Sequence, residues 1–561
     1  MSLLNSTIEN ASSAFEREQG RDRFLGLTPQ QALFAVVLVS LTLRMVCAIW
    51  FRGMIDGEGA EYARLAQNLL AGVGYVGIAT PGEQLFFPPL FPILIAGLTF
   101  VTGDAEVSTR MLSVVAGSLT VIPVYLIARR LYGGRVAILA AALTGLHPFL
   151  VQFSSTGFSE STYLALVLTA IYMAICAIDA PTPRNLFVMG LLFGLAYLVR
   201  QEAFAYALIG SIFAGLQIWF QGHRRAPRLA GLTLVALGFA LLAGPYIGWL
   251  SVESGHFRMQ GKSSPNIQTE SRIQQGQTSD QAAYSVAPDL TPTGTWMVPS
   301  LENLQNFQIE TIDLVKVLAV RAKVVLMDAS ATIAGNLEFG SPSLFALAIL
   351  GLFANPWTLR LLVPHAYILA LLGLVPVGLL FTYVLGPRFF ILYLPFLCIW
   401  AVVGILTFAQ WAKQTAALCG LAQRHLTKVV ATAQVLAALS VLVPAGAFAA
   451  WELRAANAER PFRDAVVNLA STQTAPMRIA DTSTSAAFHA NADFIWLPYA
   501  DEATALGFLA KTGVTHVVLR GDIGERPYLR KWIDEGVPGA TQVVDVTSPT
   551  GVRFQVYELG H

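Results

Sequence analysis

Apolar residues come in long blocks, and the polar residues between them are gathered into short connectors with a few larger loops. Gln31 to Phe51 is uncharged except for Arg44, and Leu229 to Ser251 carries no charge at all. A helix that crosses a bilayer needs about 20 mostly apolar residues. Blocks near 29–51, 107–128, 136–153, 162–178, 187–199, 203–220, 229–250, 341–355, 361–382, 389–409 and 429–450 predict eleven spans. The blocks at 187–199 and 341–355 are the shortest. The first of them abuts Arg200, Gln201 and Glu202, as one arm of a hairpin with a polar tip would.

The basic residues give an independent test, because loops on the cytoplasmic side collect Lys and Arg. If the chain starts inside, the inner segments hold Arg17, Arg21 and Arg23, then Arg129, Arg130 and Arg135, then Arg184. They continue with Arg224, Arg225 and Arg228, then Arg360, then Lys413, Arg424 and Lys428. An odd number of spans carries the tail from Trp451 to the outer side. The start, with Glu16, Arg17, Glu18, Arg21, Asp22 and Arg23, is too long and too mixed in charge for a cleaved signal. It reads as a cytoplasmic tail, 1–28, ahead of a retained first span.

The remaining organisation is a membrane domain over 29–450, with outer loops at 52–106 and 251–340, and a tail domain over 451–561. In the first loop, Glu58 to Leu70 sets Tyr62, Leu65, Ala66 and Leu69 on one helical face, with Glu61, Arg64, Gln67 and Asn68 elsewhere. That pattern predicts a helix lying at an interface. Leu314 to Leu326 predicts another. In the tail, Met477–Asp481, Val517–Arg520 and Phe554–Leu559 read as strands, and Ala503–Lys511 as a helix stopped by Gly513. This α/β module suits a binding lobe or a structural cap.

Composition excludes the soluble classes. The 561 residues are 55% hydrophobic and only 13% charged, so a water-facing exterior of ordinary charge cannot be built. A net charge of +1 offers no field to attract nucleic acid. The cysteines at 47, 176, 398 and 419 have no metal or redox spacing. No nucleotide loop, HExxH or GxSxG pattern is present.

A few polar residues ask for a reason. Asp56 follows the first span directly, where partial desolvation makes a carboxylate a better proton acceptor. The same residue also suits a helix cap. Glu160 stands at the outer entrance of the fourth span, as a functional acid or as a charge stabilising a helix N-terminus. His147, before Pro148, reads as a packed, hydrogen-bonding histidine rather than a ligand. Arg200 and Glu202 at one tip fit an ion pair. Arg200 and Arg388 both run against the inside bias of positive charge, which fits an anionic headgroup or phosphate gripped by guanidinium, or plain snorkelling to lipid.

Taken together, these stretches resemble the membrane GT-C glycosyltransferases, and most closely the bacterial branch of protein O-mannosyltransferase and lipid A aminoarabinose transferase type. The resemblance lies in Asp56-Gly-Glu-Gly-Ala-Glu-Tyr62 running on to Gly-Val-Gly-Tyr75, and in Phe87-Pro-Pro-Leu-Phe-Pro92. It continues in Arg110 to Gly117, Tyr125 to Gly133, Gly190 to Arg200 and Pro387 to Pro395. It implies a polytopic α-helical GT-C fold with juxtamembrane helices and a small periplasmic α/β domain, in a bacterial inner membrane with the active site facing the periplasm.

The implied reaction is inverting transfer of a sugar from a polyprenyl-phosphate donor to a hydroxyl of a glycan, lipid or protein acceptor. Asp56 matches the first-loop catalytic carboxylate and Glu160 a second loop acid. Arg388 falls where a phosphate-binding arginine is expected, and Arg200 near a basic donor position. Glu58, Tyr62, Glu202 and Tyr383 complete the candidate substrate-binding set. The aminoarabinose transferases carry Glu-Lys directly before Pro-Pro, whereas this chain has Phe86-Phe87 there. Their loop metal is therefore not carried over, and a divalent metal is neither implied nor excluded. A monomer among membrane lipids, without nucleic acid, is the expected state. A transporter or lipid flippase, or a noncatalytic envelope-assembly protein, is the alternative reading.

Overall fold

The computed structural model describes residues 26–51, 53–55, 57–221, 230–305, 311–335, 341–354, 357–521 and 525–560. Residues 1–25 of the expected N-terminal tail, Asp56, and the inner-loop residues Arg224, Arg225 and Arg228 lie outside the described residues. Among the described residues, eight helices are long and apolar enough to cross a membrane, or nine if one bent pair is a single span. The protein is a multi-spanning membrane protein with a helical membrane domain and a small C-terminal domain built on a β-sheet. The short blocks expected near 187–199 and 341–355 fold as helices Pro183–Tyr197 and Ser341–Phe353.

Local sequence sets the helix ends. Pro29 opens the first helix, Pro29–Trp50, and Thr28 closes a capping box with Gln31, each satisfying a backbone N–H of the other. The block expected at 136–153 is the bent pair, Gly134–Leu146 and Pro148–Thr156, turned by 51°. The cause is Pro148, whose ring drives the preceding residue out of the helical region. His147 accordingly sits at φ −62°, ψ 120°. It is buried, as expected for a packed residue, but neither ring nitrogen has a hydrogen-bond partner among the described residues, so the expected hydrogen bonding is absent there.

Helices meet where side chains are small. A Cβ on Gly190 would collide with the Val235 carbonyl, and one on Gly404 with the Leu347 carbonyl, so these backbones touch directly. Arg44 is buried within the first helix, yet it is not orphaned. Its Nη1 donates to the Ser40 hydroxyl at 2.5 Å and the Gly145 carbonyl at 2.6 Å, and its Nε to Ser154 at 3.1 Å. A charge inside an apolar bundle is tolerated only with such partners.

The last long helix, Gln423–Asn457, leads through Arg460–Thr472 into a five-stranded sheet. Its strands are β1 Arg478–Asp481, β2 Asp493–Trp496, β3 His516–Arg520, β4 Ala540–Thr547 and β5 Arg553–Leu559, in the order β2-β1-β3-β5-β4. β1 runs parallel to β2 and β3, while β5 is antiparallel to both β3 and β4. The three expected strands and the helix Glu502–Lys511 are all present.

The first-loop helix spans Gly57–Leu70, and its expected apolar face packs into protein, while Ala60, Glu61 and Ala63 on other faces are buried as well. Tyr62, Leu65 and Ala66 join the main membrane-domain core, while Ala60 and Ala63 pack in one apolar cluster with Phe462, Ile479 and Phe488 of the C-terminal domain. Glu61, expected away from the apolar face, is buried too. It accepts the backbone N–H groups of Ile78 at 2.7 Å and Ala79 at 2.8 Å, which fixes the following loop.

Candidate functional site

Glu58 lies in the first turn of the helix Gly57–Leu70, at the end of the bundle covered by the C-terminal domain. Arg388 belongs to a short 3-10 turn, Pro387–Phe390, placed by Gly386-Pro387 ahead of the helix Tyr393–Leu418. Its fork meets Glu58 squarely, Nη1 to Oε2 at 3.2 Å and Nη2 to Oε1 at 3.2 Å. Lys262 Nζ adds a third contact, 3.0 Å from Oε1. Burial raises the Glu58 carboxyl, but the Lys262 and Arg388 charges, with Arg200 behind them, outweigh it and hold it far below the usual carboxylate range.

Lys262 is a functional candidate that sequence reasoning missed. It sits in the long second loop just before the helix Ser263–Gln274. Gly261 is what brings it there, because a Cβ at that position would lie 2.2 Å from the Leu85 carbonyl oxygen. The loop therefore presses on Leu85, and the ammonium rests 4.5 Å from the centroid of Phe87. A glycine beside the first of the loop's three lysines was the signal in the sequence.

The second ion cluster is built on Glu160, the first residue of the helix Glu160–Asp179. Gly157, at φ 92°, takes the left-handed turn that ends the preceding helix, a conformation costly for other residues. Glu160 is 1% exposed and receives Arg200 Nη1 at 2.8 Å, while Arg200 Nη2 reaches Glu202 at 3.1 Å. Burial opposes the guanidinium charge, yet Glu202 and Glu160 raise Arg200 well above its ordinary value and keep it a cation.

Aromatic residues join the two clusters. Tyr62 lies edge-on to Phe87 at 5.2 Å and Phe91 at 5.0 Å, and its hydroxyl is 3.3 Å from that of Ser159, next to Glu160. Burial, together with the Glu58 charge, raises the Tyr62 hydroxyl and keeps it neutral. Arg388 also lies 5.9 Å from the ring centroid of Phe158. The structure thus brings Glu58, Tyr62, Glu160, Arg200, Glu202 and Arg388 into one region. Tyr383 has Trp296, Asp280 and Tyr284 as its neighbours. Burial pushes its hydroxyl up to about 12, with Trp296 opposing the rise and Asp280 adding to it.

Asp56 lies outside the described residues, but its two neighbours are well held by the C-terminal domain. Ser485 Oγ donates to the Ile55 carbonyl at 2.8 Å, and Thr484 Oγ1 to the Gly57 carbonyl at 3.2 Å. The Ile55 N–H donates to His489 Nε2 at 3.4 Å. Among the described residues no three His, Cys, Asp or Glu side chains converge as metal ligands.

The family model for dolichyl-phosphate-mannose-protein mannosyltransferase matches residues 87–249. None of the curated proteins matches the chain. Among solved structures, the chain is similar to ArnT from Cupriavidus metallidurans bound to undecaprenyl phosphate. The identity is 13%, the TM-score 0.55, and the match covers 93% of this chain and 97% of that one. It is also similar to the oligosaccharyltransferase AglB from Archaeoglobus fulgidus in complex with an inhibitory peptide and a dolichol-phosphate. There the identity is 14%, the TM-score 0.54, and the coverage 94% of this chain and 74% of that one. The chain has the GT-C-like fold of the polyprenyl-phosphate-dependent glycosyltransferase superfamily.

Proposed function

We propose that the chain is an inverting glycosyltransferase that moves a sugar from a polyprenyl-phosphate donor to an acceptor hydroxyl on a periplasmic or lipid-linked molecule. The observation that carries the reading is the pair of cations, Arg388 and Lys262, converging within 3.2 Å of one carboxylate beside the buried Glu160–Arg200 pair. A forked guanidinium and an ammonium aimed at one point make an anion grip, suited to a lipid phosphate. The fold and the partial family match support the same superfamily.

In this mechanism the acceptor oxygen attacks the anomeric carbon as the bond from that carbon to the phosphate oxygen breaks. The electron pair leaves with the polyprenyl phosphate, whose added charge Arg388 and Lys262 stabilise. The acceptor proton passes to the Asp56 carboxylate. Glu160, oriented by Arg200 and Glu202, positions the acceptor or faces the positive character on the sugar. Tyr62 and Tyr383 line the approach. The reading carries the expected topology with it: eleven spans in a bacterial inner membrane, 29–450 catalytic, 451–561 periplasmic, acting as a monomer.

A flippase would bind and move the lipid without breaking the glycosyl bond. The separating experiment incubates the purified protein with polyprenyl-phosphate sugars and hydroxyl acceptors and measures free polyprenyl phosphate. Acceptor-dependent release that disappears in Arg388→Ala is the expected result. Donor that is bound or moved but never cleaved, across a panel of sugars, would overturn the reading.

A further inference from the structure

We propose that Glu58 is a built-in stand-in for the donor phosphate: its carboxylate holds the Arg388–Lys262 grip and gives it up when a polyprenyl phosphate binds. The inference rests on the donor reading above and adds a competitor to it.

The geometry is that of a ligand. Arg388 makes two parallel contacts of 3.2 Å to the two carboxylate oxygens, the same fork that two non-bridging phosphate oxygens accept. Lys262 supplies a third contact at 3.0 Å. The cations are also braced without Glu58. Lys262 lies 4.5 Å from the Phe87 ring centroid, and Arg388 lies 4.9 Å from Phe389 and 5.9 Å from Phe158. Their positions therefore outlast the departure of the carboxylate.

Access separates this acid from its neighbour. The Glu58 side chain is 21% exposed, Arg388 25% and Lys262 35%, whereas Glu160 is 1% exposed and sealed against Arg200. A phosphate arriving from outside reaches the Glu58 cluster first. Two anions within one fork repel each other, so the phosphate replaces the carboxylate rather than joining it. Glu58 is in the first turn of its helix, and rotation of its side chain clears the grip without moving the backbone. The cations keep Glu58 ionised, which makes the competition permanent. Once released, Glu58 loses both cations, its carboxyl moves back up toward the ordinary range, and it becomes a second acid available to the acceptor beside Tyr62.

The test measures binding of a sugar-free polyprenyl monophosphate to the full chain in detergent, for the native protein, Glu58→Gln, Glu58→Asp and Arg388→Ala. Glu58→Gln is expected to bind about tenfold tighter, as one charged hydrogen bond is no longer competed away. Glu58→Asp, a methylene shorter, should fall between the two, and it carries the test alone if the Gln variant is not monodisperse. Arg388→Ala should lose affinity. Equal or weaker binding by both Glu58 variants, with Arg388→Ala impaired, overturns the stand-in and leaves the donor reading standing. Absence of binding in every form overturns both.

Discussion

Arg200 reaches Glu160 at 2.8 Å, and it satisfies only one of the two oxygens of that buried carboxylate. The other, Oε2, has no hydrogen-bond partner among the described residues. A buried acceptor without a donor is costly, and such atoms occur where a substrate supplies the missing donor. Glu160→Gln should keep the fold and lower turnover by about a hundredfold, the loss of roughly 2.7 kcal/mol of transition-state stabilisation. Steady-state release of polyprenyl phosphate measures it, and unchanged turnover would remove Glu160 from the site.

Removing the other partner has a different signature. Arg200→Met leaves Glu160 as an uncompensated buried charge, a change that costs about 3–5 kcal/mol. Thermal unfolding in detergent should show a large drop for Arg200→Met and a smaller one when Glu160→Gln is added. A drop that does not recover in the double variant would contradict the pairing.

Arg388→Lys preserves charge and removes the fork. The expected result is a rise of about tenfold in the KM for donor, with kcat changed much less. If kcat falls and KM does not, Arg388 acts on the leaving charge alone.

Asp56→Asn should nearly abolish transfer while expression and unfolding behaviour stay intact, since the amide keeps the shape and cannot take a proton. Full activity in that variant would move the base to another group, Glu58 being the nearest candidate in sequence.

His489 supplies a pH prediction. Burial first, then Arg463 and Arg110, lower its imidazole from 6.5 to about 4, while Asp104 and Asp464 oppose the shift. Glu106 also faces it, 3.8 Å from Nδ1. The folded chain then binds this proton less readily than the unfolded one. Stability from this residue is complete above about pH 6.5 and declines as pH falls toward 4, by about 3 kcal/mol at most. His489→Gln should flatten the unfolding midpoint across that window. An equally steep profile in the variant would assign the effect to other groups.

The membrane architecture was legible because it depends on composition and block length, which the bilayer enforces. The bend at His147 follows from the local sterics of Pro148, although the block at 136–153 reads as a single span. The pairing of Arg200 with Glu202 followed from nearness in sequence. Other features depend on contacts between distant segments. Glu61 looked like a polar-face residue until the loop at Ile78 and Ala79 folded over it. Lys262 meets Glu58 across 204 residues, and no periodicity records that distance. Strands β2 and β4 were missed because Asp493–Trp496 is very short and Ala540–Thr547 lies at the sheet edge with much of it facing water.

The hold that Ser485 and Thr484 exert on Ile55 and Gly57 has a consequence for how the protein is made. The bonds join positions up to 430 residues apart, so the first loop emerges from the ribosome long before its clamp exists. Early helices can insert and pack as they appear. Ile55 and Gly57 gain this hold only once the segment just after β1 has been synthesised. Loss of the C-terminal segment would therefore leave an inserted bundle with an unfinished centre. Synthesis of the segment around Thr484 and Ser485 is thus a late step in assembling the site.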